Sequence, residues 1–343
     1  MLAAVLYGKE ELRVEPVGVP ELGPSDILVR VRVALTCGTD LKVFRRGYHA
    51  RMITPPAILG HELAGDVVAV GAEVEKFTPG QRVVAANSAP CWKCYFCLRG
   101  QENLCEDLLF NNGAYAEFAR IPGPIVECNT HVIPEGIGYR EAAMVEPLAC
   151  VLRGLDETGV RPGDTLTVIG LGPIGLMFVR LAKLAGARVI AVGRRQMQLD
   201  RAERMGADEL IQADQGELPV GEVRGLTDQN RGSDVVIEAV GSPHTWRGAV
   251  GMVRSGGTVN LFGGCSSGSQ VCLDTSQIHY SEVTLKSSFH HTPAHIRRAL
   301  DVIGGGEIRA SEFVINEAPL SGLLEVFRHM MSHNGHLKTA ILP

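Results

Sequence analysis

The chain has 343 residues, of which 45% are hydrophobic and 21% charged, and its formal net charge is −5. That length favours two domains, each with enough apolar material for a core of its own. The acidic balance argues against a nucleic-acid partner, and no apolar stretch is long enough to cross a bilayer. The opening MLAAVLYGKEELRVEP lacks the basic start of a secretory leader and is interrupted at Gly8, Lys9 and Glu10, so a cytoplasmic protein is expected.

The first third reads as short strands between turn residues. Residues 26–35 (DILVRVRVAL) alternate polar and apolar, and residues 65–70, 81–86 and 114–121 are β-rich runs bounded by Gly, Pro or Asn. This predicts a small, mainly antiparallel β domain. The pattern changes near Tyr139, where residues 140–159 read as helix. Apolar runs at 164–169, 188–192, 234–240 and 258–262 then alternate with helical stretches at 174–185 and up to Met205. Strands alternating with helices predict a parallel sheet with helices on both faces. Two further helices, at 293–303 and 320–333, precede a strand-like end at 338–342.

Gly170-Leu171-Gly172-Pro173-Ile174-Gly175 fits G-x-G-x-x-G, between a predicted strand and a predicted helix. The first glycine permits a tight turn, the second lets backbone approach a pyrophosphate, and the third packs helix on strand. The helix N-terminus offers N–H groups and a positive dipole end to the anion. An NAD enzyme places an acid about 20 residues further on, against the ribose. Here the strand RVIAV runs into Gly193-Arg194-Arg195. Guanidinium groups suit a 2′-phosphate, so NADP(H) is expected over NAD(H). Val240, at the end of DVVIEAV, is a further cofactor contact by position.

Cys91, Cys94, Cys97 and Cys105 lie within one short loop. Four thiolates at this spacing can surround one Zn²⁺ and leave no position open, which makes the site structural. An iron–sulfur cluster or redox thiols are the alternatives the spacing leaves open. A second grouping is dispersed: Cys37 in TCGTD, His61 and Glu62 after Gly60, and Glu146 in VEPLA. All are zinc-ligand types, but taken singly such residues are more often packed core positions than ligands.

Residues 60–74 read G-H-E-x2-G-x5-G-x2-V. This resembles the signature of zinc-containing alcohol dehydrogenases of the medium-chain dehydrogenase/reductase family. TCGTD, the four-cysteine loop and GLGPIG follow the family order, so the likeness spans nearly the whole chain. It is similar in particular to the polyol (sorbitol) and threonine dehydrogenase branch. The resemblance implies an α/β protein with a GroES-like β-rich catalytic domain (1–145 and 285–343) and a Rossmann doubly wound parallel-sheet cofactor domain (146–284), with the active site in the cleft between them. It assigns Cys37, His61 and Glu146 to a catalytic zinc, with Glu62 as an adjacent carboxylate, and makes two zincs per chain. It gives Thr39 the substrate proton and Lys338 the cofactor pyrophosphate. It implies hydride transfer between NAD(P) and a secondary alcohol, a polyol, sugar alcohol or cyclitol, in a homo-oligomer, a tetramer in bacterial relatives.

Two positions depart from the pattern. Lys42 stands where the family often has a relay histidine, so either Lys42 or water passes the proton outward. Ser88 stands where threonine dehydrogenases carry a histidine, which disfavours threonine over a polyol as substrate. An amino alcohol such as threonine or an aminocyclitol is the alternative substrate. A zinc-ribbon protein that only binds nucleotide is the non-enzymatic alternative, and one zinc per chain instead of two would favour it. Phe44, Tyr48 and His49 are candidates for lining a substrate pocket, and His290 and His291 for touching substrate or nicotinamide. Cys128, Cys150, Cys265 and Cys272 read as small buried hydrophobes.

Overall fold

The structure, a computed structural model, describes residues 1–49, 51–214, 216–332 and 337–343. It divides into two units, Met1–Ala149 with His291–Pro343, and Cys150–His290.

The first unit is built on the strand Ile27–Leu35. Its alternating sequence buries Ile27, Val29, Val31 and Val33 and exposes Arg30 and Arg32, as a period of two requires. It pairs antiparallel with Leu63–Val70 and with Phe118–Ile121. The sheet continues outward through Arg82–Ala85 to Thr130–Val132 on one side and through Lys338–Leu342 to Val314–Pro319 on the other. Ala340 pairs with Leu35, so the chain's last strand lies beside its first long one. The last two strands, Val314–Pro319 and Lys338–Leu342, run parallel in an otherwise antiparallel sheet. The sequence reading passed over the N-terminal hairpin, Leu2–Gly8 with Glu11–Pro16. Ile27, Val67, Phe77, Val83, Phe44, Tyr115 and Phe327 share one core. Burying each such side chain contributes about 1.5–3 kcal/mol.

The second unit holds a six-stranded parallel sheet in the order Glu209–Gln212, Arg188–Gly193, Thr165–Ile169, Ser233–Glu238, Val253–Leu261, Thr284–Lys286. By chain position this is 3-2-1-4-5-6, the doubly wound order. Thr284–Lys286 is its edge strand, which is why the unit closes at His290 and not at 284.

Residues 140–159, expected as one helix, form two, Tyr139–Ala143 and Val145–Asp156. Pro147 explains the break. It has no N–H to bond Ala143, and its ring clashes with the carbonyl four residues back. The closing helices are Pro293–Gly304 and Leu323–Ser332; the last residue of the expected 320–333 segment lies outside the described residues.

Candidate active site

In the second unit the glycine loop joins the strand Thr165–Ile169 to the helix Pro173–Leu184. Gly170 has φ +94°, and a Cβ there would lie 2.5 Å from Val240 Cγ2. A Cβ on Gly175 would lie 1.7 Å from the Gly170 carbonyl oxygen, so helix and strand touch only because it has none. At Gly172 a Cβ would meet nothing within 4 Å. Gly172 caps the helix, and the first-turn N–H groups of Ile174 and Gly175 have no partner within the helix. The cradle suits an anion.

Val240 follows the strand Ser233–Glu238, so the loops after the first and fourth strands meet where strand order reverses, the ligand position of doubly wound sheets. The buried Glu238, which the sequence reading missed, shapes this turn: its Oε1 accepts the N–H groups of Val240 (2.8 Å) and Gly241 (2.9 Å). Burial, against those bonds, raises its carboxyl above the usual range. Arg194 (exposed) and Arg195 (half-buried) leave the end of the strand Arg188–Gly193 directly after Gly193.

In the first unit, antiparallel pairing of Ala34 with Leu63 sets the end of one strand beside the start of the next. Cys37 and the pair His61-Glu62 therefore meet. Their ligand atoms lie within 4.8 Å of one another. Cys37 caps the helix Gly38–Arg46, its sulfur accepting the Thr39 N–H at 3.4 Å. Gly60, at φ +92°, passes so close to Tyr115 that a Cβ would sit 2.9 Å from its ring.

His61 is buried, and its Nδ1 lies 3.0 Å from Asp40 Oδ1. Burial opposes a charged ring, but Asp40 and then Cys37 outweigh it and hold the imidazole well above its ordinary value. That favours the doubly protonated ring while no metal is bound; a metal would displace the Nε2 proton, with Nδ1–H kept on the Asp40 carboxylate. Glu62 is fully buried, and burial, only partly offset by Lys338, pushes its carboxyl up to about 7. The buried Glu146, at the start of the helix Val145–Asp156, adds a repulsive charge to Glu62. Glu146 does not join the compact Cys37–His61–Glu62 group.

Several expected residues sit differently. Lys338, expected at a cofactor phosphate, is buried, its Nζ 2.6 Å from both Glu62 oxygens and 3.1 Å from the Thr36 carbonyl. The pairing of its strand with Ile27–Leu35 brings it there. Phe44 lies in the core, 5.5 Å from Phe327, and does not line a pocket. The helix Gly38–Arg46 buries Asp40, Val43 and Phe44, while Thr39 is half-buried and Lys42 exposed. Tyr48 is exposed; half-buried His49 accepts N–H groups from Arg51 and Met52 on Nδ1. His290 has φ +66°, and His291 is buried with Nε2 3.1 Å from Asn87 Oδ1. Cys272 is exposed and Cys128, Cys150 and Cys265 are half-buried, so none is the fully buried hydrophobe expected. Asp40 and Tyr115 went unassigned in the sequence; the available signal was an acid three positions after Cys37, one helical turn on.

Cys91, Cys94, Cys97 and Cys105 form a second cluster, with ligand atoms again within 4.8 Å. All four are free thiols, and the Cys91 N–H points at the Cys105 sulfur at 3.2 Å. N–H groups of Cys97 and Glu106 lower the Cys94 thiol to about 6, while burial raises Cys97 to about 12. Four sulfurs around one point, two of them buried, fit a tetrahedral zinc.

Comparison with known proteins agrees with both units. Residues 23–128 match the family model for the alcohol dehydrogenase GroES-like domain, and residues 173–304 match that for zinc-binding dehydrogenases. A D-arabinitol dehydrogenase 1 from Uromyces fabae is 31% identical, over 100% of this chain and 97% of its own. A sorbitol dehydrogenase from Bacillus subtilis is 29% identical over the same shares. A zinc-binding dehydrogenase from Sinorhizobium meliloti, solved with NADP bound, superposes with a TM-score of 0.90 at 32% identity, covering 100% of this chain and 99% of that one. With a relative above 30% identity matched along its whole length, the chain belongs to the zinc-containing alcohol dehydrogenases of the medium-chain dehydrogenase/reductase family, oxidoreductases acting on CH–OH groups.

Proposed function

We propose that this protein oxidises a secondary alcohol of a polyol, sugar alcohol or cyclitol, with NADP⁺ as the hydride acceptor. The observation that carries the reading is the convergence of Cys37, His61 and Glu62 within 4.8 Å. Thiolate, imidazole and carboxylate are a donor set that zinc accepts. The relatives named for sorbitol and D-arabinitol support the substrate class.

When bound, zinc supplies Lewis acidity that eases loss of a hydroxyl proton. Cys37 and His61 would hold it with Glu62, the carboxylate the structure sets beside them, and Glu146, which lies outside that group but close enough to repel Glu62, would be the carboxylate that exchanges with Glu62. Thr39, half-buried two residues beyond Cys37, takes the substrate proton, and Lys42, exposed on the same helix, releases it to solvent. A bound nicotinamide would supply the hydride acceptor, so that the alcohol would leave as a ketone and NADP⁺ as NADPH. Gly170, Gly172, Pro173, Ile174 and Gly175 would seat the pyrophosphate, Val240 would border the cofactor, and Arg194 and Arg195, which follow Gly193 at the end of its strand, would meet a 2′-phosphate; the bare Gly193 makes way for Leu171, whose Cδ1 a Cβ there would approach to 2.6 Å. The NADP-bound structural relative supports that choice. Cys91, Cys94, Cys97 and Cys105 would hold a second, structural zinc. Nine free cysteines suit a reducing cytoplasm. A homo-oligomer, a tetramer, is part of the same reading.

The test is a rate panel of sugar alcohols, cyclitols, aminocyclitols and threonine, each with NAD⁺ and NADP⁺, on protein of measured metal content. A polyol or cyclitol should give the highest kcat/KM, with NADP⁺ ahead by about tenfold or more. Preference for threonine would overturn the substrate class, and preference for NAD⁺ the cofactor.

A further inference from the structure

Tyr115 is fully buried, its ring edge-on to Phe327 with centroids 6.1 Å apart. Its hydroxyl lies 2.7 Å from Asp40 Oδ2 and 3.1 Å from the Leu35 carbonyl. The other carboxylate oxygen, Asp40 Oδ1, is the one 3.0 Å from His61 Nδ1. Asp40 itself is 1% exposed, so water does not hold its orientation.

A carboxylate can turn about its terminal bond, and one hydrogen bond leaves that torsion soft. A second anchor, on the opposite oxygen, fixes the plane. Burial and the Asp40 charge keep the Tyr115 phenol well above its ordinary value, so it retains its proton and donates. With Oδ2 engaged, Oδ1 stays on the imidazole and the ring proton stays on Nδ1. When a metal displaces the Nε2 proton, Nε2 meets it as a lone pair, the form in which histidine binds a metal.

We infer that Tyr115 is a positioning residue for His61, acting through Asp40 to fix the tautomer and ring orientation in which His61 meets the metal. The inference rests on the reading of Cys37, His61 and Glu62 as a metal site. Phenylalanine at 115 would fill the same core but leave Asp40 Oδ2 without this donor.

The experiment measures Zn²⁺ affinity by chelator competition, and the visible spectrum of the Co²⁺-loaded protein, for the wild type, Tyr115→Phe, Asp40→Asn and the double variant. Wild type should bind two ions, one of them lost in Cys37→Ser. In Tyr115→Phe the affinity of that ion should fall about 10–100-fold, as loss of an outer hydrogen-bond partner does elsewhere. Its Co²⁺ bands should shift while the four-cysteine site keeps its affinity, with the Tm lowered only by what one buried hydrogen bond contributes. The double variant should bind no worse than Asp40→Asn alone. Wild-type affinity and spectrum in Tyr115→Phe would overturn the inference, as would additive losses in the double variant or equal losses at both sites with a lowered Tm. A wild type that binds one ion, unaffected by Cys37→Ser, would instead defeat the metal-site reading beneath it.

Discussion

The ammonium of Lys338 sits 2.6 Å from both carboxylate oxygens of Glu62, with both side chains buried. Burial alone would drive the lysine towards neutrality, but Glu62 outweighs it and keeps the ammonium charged above its usual range. The pair neutralises a charge that could not otherwise be kept there. It ties the last strand to the residue after His61.

Removing one partner leaves the other stranded. Lys338→Met should destabilise the protein by about 3–5 kcal/mol in denaturant unfolding. Glu62→Gln combined with Lys338→Met should recover part of that loss, since neither buried charge remains. A single variant of wild-type stability would show that the pair contributes nothing.

Acid should weaken the fold through His131. Burial, then Lys76 and Arg297, lower its pKa to about 4. The folded state therefore binds fewer protons than the unfolded chain between that value and about 6.5. Stability from this group is fully present above the unfolded value and is lost as pH falls through the window. The loss is about 2 kcal/mol, less than the full shift implies because the ring is partly open to solvent. His131→Gln should flatten the stability profile between those two values. An unchanged acid limb would exclude this histidine as its cause.

Cofactor selectivity should lie in the residues after Gly193. Each charge-assisted bond to a 2′-phosphate contributes about 1.5–3 kcal/mol. Replacing Arg194 and Arg195 by alanine should lower kcat/KM with NADP⁺ about 10–100-fold or more and leave NAD⁺ almost unaffected. Equal losses with both cofactors would mean the arginines read the pyrophosphate or the fold, not the extra phosphate.

The two ligand sets should separate by phenotype. Cys94→Ser should cost one zinc per chain and lower the Tm, because a closed site contributes folding energy. Cys37→Ser should cost the other zinc and abolish turnover with the Tm little changed. Turnover by a verified Cys37→Ser protein without its second metal would contradict the proposed chemistry.

The sequence by itself determined whatever depends on neighbours along the chain. The four cysteines close together, the glycine loop between strand and helix, the arginines after RVIAV and the alternation in ILVRVRVAL each declare a local geometry, and the family signature ties them together. Pairings across long separations were decided by tertiary structure alone. Asp40 meets His61 across 21 residues, Tyr115 meets Asp40 across 75, and Lys338 meets Glu62 across 276. Periodicity tells which face of a strand is buried but not which strand lies beside it, so Tyr115 has no role in the sequence, and the family resemblance alone places Lys338 at a phosphate. Sheet register, set when apolar faces pack, placed these polar groups within reach, and burial without water made each one require the partner it has.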